Sequence, residues 1–116
     1  MLLTIGLDVC VKTRNAMISM PMNGLSEEEV AQKYLQVKEY LESLGYAVVN
    51  TLFDQVSDSD LAAVGIANAP VWYLAKSLHQ MSRCDTVYFC KGWRAARGCK
   101  IEHEVAKQYG ITMLYE

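Results

Sequence analysis

Thr86-Val87-Tyr88-Phe89-Cys90-Lys91-Gly92-Trp93-Arg94-Ala95-Ala96-Arg97-Gly98-Cys99-Lys100-Ile101-Glu102-His103-Glu104-Val105-Ala106 decides the fold class of this chain. Its first five residues form an apolar run that reads as a buried strand. A glycine-bearing loop follows, and then a helix that carries Glu102 in its first turns. Strand, loop and helix start together make the ligand-holding corner of an open α/β sheet. Backbone N–H groups at a helix start lack partners within the helix and favour negative charge. Glu102 is therefore a candidate ionised nucleophile or base. The same residue also reads as a solvated glutamate that only complements the helix dipole.

Outward from this segment the chain alternates strands and helices. Ala16-Met17-Ile18-Ser19-Met20 reads as a first strand, broken by Pro21-Met22-Asn23-Gly24. Ser26 with Glu29 three residues later is a capping box. Val30, Tyr34, Val37, Leu41 and Leu44 then place one apolar stripe on a helix that Gly45 ends. Tyr46-Ala47-Val48-Val49 reads as a second strand. Residues 50–68 are the least regular, a solvated loop or lid with Asp54, Asp58, Asp60 and a short helix over 61–66. Pro70 suits a helix start, and Val71, Leu74, Leu78 and Met81 continue that helix. The strand at 85–90 and a helix over 98–109 follow, with Ile101, Val105 and Gln108-Tyr109 on its inner side. Ile111 to Tyr115 is a last strand. The order predicts a single flavodoxin-like three-layer α/β sandwich with a parallel sheet of four or five strands. Ligands of such sheets bind beyond the strand C-termini. That rule gathers three loops, 19–24, 50–54 and 91–98.

Composition narrows the function classes. A chain of 116 residues has room for one core, and a net charge of -2 speaks against a nucleic-acid polymer or a membrane surface as partner. Cys10, Cys84, Cys90 and Cys99 form no Cys-x-x-Cys pair, and His79 and His103 show no zinc spacing. No metal site is expected. The cysteines read as reduced core thiols of a cytoplasmic protein, although Cys99 near a helix start is also placed for a lowered pKa. Residues 1–15 are assigned to an N-terminal extension, an extra strand or arm; Asp8 interrupts their apolar run and no basic region precedes it, which makes a poor signal peptide. Residues 16–116 form the domain. Seven tyrosines and two tryptophans on so short a chain predict exposed aromatic surface and a homodimer or larger homo-oligomer.

Met17-Ile18-Ser19-Met20-Pro21-Met22-Asn23-Gly24 resembles the opening strand and loop of nucleoside 2-deoxyribosyltransferase-like proteins. Gly98-Cys99-Lys100-Ile101-Glu102-His103-Glu104-Val105-Ala106 resembles their glycine-to-glutamate helix start. Gly92-Trp93, Arg97-Gly98, Glu102-His103, Leu44-Gly45-Tyr46 and Cys84-Asp85 fit the small, functionally unassigned bacterial and phage branch of that superfamily. The resemblance covers roughly residues 16–116. It implies that Glu102 attacks the anomeric carbon of a deoxyribose, releases the base, and passes the sugar to water or another base. It places Ser19, Met20, Pro21, Asn23, Gly24, Asn50, Ser77, Gly92, Trp93, Arg97 and Gly98 around a nucleoside or nucleotide. Gly98 would let the backbone approach the sugar or a 5-phosphate. No cofactor is implied, and related enzymes complete their pockets across subunits.

The chain also departs from the active pattern. By spacing from Asp85, Ser77 stands where active relatives carry a proton-delivering aspartate, and a serine is no acid near neutral pH. Ala96 stands where phosphate-binding relatives often have serine, and Met20 where many have a smaller or polar residue. The leading expectation is N-glycosidic bond cleavage or transfer. The rival is a non-catalytic nucleotide-binding or sensing module, and a third reading is an interaction protein. Trp93 could stack on a base or pack against a neighbouring subunit. His103, beside Glu102, could steer a leaving base, but adjacent helix residues point about 100° apart, and it reads first as a structural or surface group. Arg94 and Arg97 are the nearest cations for an anionic ligand.

Overall fold

The computed structural model describes residues 14–116. Strand β1 spans Arg14–Ser19, helix α1 Glu27–Ser43, strand β2 Tyr46–Val48 and helix α2 Asp58–Ala63. Helix α3 spans Ala69–Met81, strand β3 Thr86–Phe89, helix α4 Arg97–Gln108 and strand β4 Thr112–Tyr115. The strands lie in the order β2-β1-β3-β4, and every pairing is parallel. This is the mixed α/β sandwich expected, with four strands among the described residues. β1 begins at Arg14, so Arg14 and Asn15 belong to the sheet and not to an extension. The other residues assigned to that extension lie outside the described residues.

Local chemistry explains the elements. Ser26 and Glu29 close the capping box of α1 from both sides. Ser57 caps α2, which therefore starts three residues before the expected short helix, and Asn68 caps α3 by accepting from the Val71 N–H. Ala16 to Met20 are all buried because β1 has a covered layer on each face. Ala16, Ile18 and Met20 pack with Tyr34, Val37 and Leu41 of α1. Met17 packs on the other face with Val87, Phe89, Met81 of α3 and Ala106 of α4.

Two helices depart from the stripes that spacing predicts. In α3 only Met81 is buried, and Val71 is 58% exposed. Its N-terminal half stands beside the 50–56 segment instead, where Tyr73 Oη accepts the Val56 N–H and Lys76 lies over the Phe53 ring. In α4 the buried residues are Cys99, Glu102 and Ala106, while Tyr109 is exposed. The steps of three and four survive, but the stripe is shifted by one position from Ile101. A carboxylate thus lies on the face that meets the sheet.

The topology fixes where the loops go. The chain leaves β1 towards α1 on one face and leaves β3 towards α4 on the other. β1 and β3 are neighbours, so the strand order reverses between them, and a crevice opens at their C-terminal ends. Ser19 pairs with Phe89 at that point.

Candidate active site

Ser19 is the last residue of β1, and alternation points its side chain to the α3/α4 face. Glu102 comes down onto it from α4. The Ser19 hydroxyl donates to Glu102 Oε1 at 2.6 Å, and both residues are buried. A hydroxyl-to-carboxylate bond of this length is a charge-assisted one. Ser77 of α3 stands near the same carboxylate and favours its charged form less strongly than Ser19 does. Cys99, one turn before Glu102, sets its sulfur against Ser19. Three elements therefore converge on a single carboxyl group.

Electrostatics correct the expectation of a carboxylate favoured in its charged form. Glu102 is the sixth residue of α4, beyond the first turn in which the helix dipole acts. Burial dominates and pushes its pKa above the ordinary carboxylate value, while the Ser19 and Ser77 hydroxyls oppose the rise. The Cys99 thiol is also pushed up by burial, contrary to the lowered pKa a helix start suggests.

The loops expected at this edge divide into two groups. The loops after β1 and β3 touch: a Cβ added to Gly92 would lie 3.6 Å from Pro21 Cγ. Gly92 holds φ at 91°, a left-handed turn that lets the chain double back into the 3₁₀ turn Trp93–Ala95. The 50–54 loop is tied to the end of β1 by the Thr51 hydroxyl, which donates to the Ile18 carbonyl at 3.0 Å. Asn50 turns its own amide onto Leu52, accepting from its N–H and donating to its carbonyl. Asn23 and Gly24 form an exposed turn.

Trp93 stacks on His103 with ring centroids 4.0 Å apart and rests on Phe89. His103 Nε2 in turn shares a 2.7 Å hydrogen bond with the Tyr115 hydroxyl. Trp93 therefore has an intramolecular partner that neither sequence reading included. Arg94 lies over the Trp93 ring, and Arg97 is exposed at the first position of α4. Ala96 precedes α4 without any side-chain cap, and a Cβ on Gly98 would meet nothing within 4 Å. The backbone at the start of α4 is open to an incoming group. Met20 and Pro21 line a cavity on the opposite face of β1, towards α1, and Glu102 does not border it.

A family profile described as Domain of unknown function (DUF4406) matches residues 15–115. The chain belongs to the DUF4406 family. The match takes in β1 from its second residue through the last residue of β4. The Ser19–Ser77–Glu102 cluster thus lies inside the DUF4406 unit. No curated protein and no solved structure matches the chain. Among the described residues of this DUF4406 domain, no group of three or more His, Cys, Asp or Glu is placed to hold a metal ion. No helix among them is long and apolar enough to cross a membrane.

Proposed function

We propose that this DUF4406 domain binds a nucleoside or nucleotide and cleaves, or transfers at, the N-glycosidic bond of a deoxyribonucleoside or its monophosphate. The observation that carries this reading is the buried carboxylate of Glu102, oriented by Ser19 at the carboxyl edge of a parallel sheet. Ser19 holds the carboxylate by Oε1, and a carboxylate oxygen is the attacking atom. It would bond to the anomeric carbon as the bond to the base breaks and the electron pair leaves with the base. Water or a second base then displaces the ester and restores the carboxylate. Ser77 reaches the same carboxylate but supplies no acid, so the leaving base takes its proton from water or from a group of its own.

A second reading rests on the same serine. An uncharged hydroxyl where an acid would serve suits a module that binds a nucleotide without cleaving it. We further place the protein in the cytoplasm, on its free thiols Cys84, Cys90 and Cys99.

Incubation with a panel of nucleosides and nucleotides, with free base followed by chromatography, separates the readings. The enzyme should release base from at least one of them. Glu102→Ala should abolish that release, a loss of several orders of magnitude, with the fold retained. Saturable nucleotide binding without release, in both the wild type and Ser77→Asp, would replace the enzyme with the sensing module.

A further inference from the structure

On the α1 side of the crevice, the sheet edge opens into a cavity of about 430 Å³. Met20 and Pro21 after β1 form its apolar wall, and Gln32 and Gln36, one turn apart on α1, face it with amides. Its polar end is built by three elements at once. Glu116, after β4, accepts the Lys91 backbone N–H on Oε1 at 2.8 Å and meets the Lys33 ammonium of α1 with Oε2. The other carboxylate on this wall, Glu29, accepts the Ser26 N–H in the α1 capping box.

A cation and a backbone donor, from separate elements, thus converge on one point, and a carboxylate of the protein stands there. Those two donors hold the Glu116 carboxyl below the usual carboxylate range. Lys33 and Glu116 are each about one third exposed, 34% and 32%. An ion pair so open to water is weak, and Glu116 can swing into solvent with little loss. A dianion presents more charge and more acceptor oxygens to the same two donors than a carboxylate does.

We infer that this cavity is a binding site for a phosphate monoester with a compact organic body, whose phosphate displaces Glu116 from Lys33 and the Lys91 N–H while the body lies along Gln32, Gln36 and the Met20–Pro21 wall. The site is separate from Glu102 and does not rest on the glycosidic reading.

The Lys91 amide is a direct reporter, because its acceptor changes when ligand enters. Its ¹H–¹⁵N resonance should shift saturably on titration with ribose 5-phosphate. Glu116→Gln should tighten binding roughly threefold or more, by removing the competing charge. Lys33→Met should weaken it about tenfold or more, and Glu102→Gln should leave it unchanged. Failure here and failure of base release are therefore read separately. Inorganic phosphate and acetate complete the test, and both should bind more weakly. Acetate binding as tightly as ribose 5-phosphate would overturn the phosphate assignment. Inorganic phosphate doing so would overturn the role of the organic body. No saturable shift in wild type and Glu116→Gln, or an unchanged affinity in Lys33→Met, would overturn the site, with thermal unfolding confirming that each variant is folded.

Discussion

Glu102 occupies a position that its helix would otherwise fill with a core side chain. Its neighbours on the buried stripe are Cys99 and Ala106, and burial raises its pKa above the ordinary 4.5. The folded protein therefore binds this proton over a pH range in which the unfolded chain has released it. Stability falls as pH rises from the ordinary carboxylate value through the raised folded one, and is flat beyond. Glu102→Gln keeps an oxygen for Ser19 and removes the ionisation. It should melt higher than wild type at pH 7, where the wild-type carboxyl must ionise in a buried place. The two proteins should converge below the ordinary carboxylate value. Calorimetric melts across pH check both statements. Ser19 acts through Glu102 as a positioning residue. Ser19→Ala removes a bond that favours the charged form, so the acid limb of any base-release profile should move to higher pH. Release should be largely recovered on the alkaline side of that limb. A uniform loss at every pH would mark Ser19 as merely structural.

At the scale of elements, the loops after β1 and β3 are the parts most sensitive to backbone change. Gly92→Ala forces a side chain into φ near 91° and should destabilise the domain by about 1–2 kcal/mol, measured by denaturant unfolding. Gly98 is helical with open space above it, so Gly98→Ala should leave stability unchanged or slightly raised. Lost nucleotide binding in that folded variant would locate a ligand against the start of α4. Most elements are legible in the sequence, because their signals are local. The Ser26–Glu29 box, Gly45, Pro70 and the apolar run at 86–90 each act within a few residues. The inward face of α4 is not legible that way. Apolarity selects Ile101 and Tyr109, whereas the helix turns Glu102 inward because Ser19 and Ser77 wait there from distant parts of the chain. The place of Trp93 is hidden for the same reason, since its partners His103 and Tyr115 meet it only once β4 lies beside β3. Lys33 and Glu116 are invisible as a pair until that sheet has formed.

For the whole molecule, the surface left by this fold carries several exposed tyrosines and aliphatic side chains. Tyr40, Tyr109 and Tyr115 are 52%, 81% and 51% exposed, and Leu35 and Val71 also stand more than half exposed. We expect a closed symmetric oligomer, a dimer or larger, and light scattering at high concentration should show it. Substituting Tyr109 with a charged residue tests whether the far end of α4 takes part. A monomer at every concentration would sink the expectation.

The strand order also has a consequence for how the chain is built. β1 is made before the other three strands, yet it lies inside the sheet, and Ala16 finds its partner Thr86 only after three helices have been synthesised. Until then β1 has β2 beside it, a three-residue strand, and a pair of that size is marginal in water. The apolar face bearing Met17 stays uncovered through most of synthesis. Folding is therefore committed late, by distant pairing of the kind that slows the transition state. The contact between Ser19 and Glu102, from opposite ends of the domain, is among the last to close.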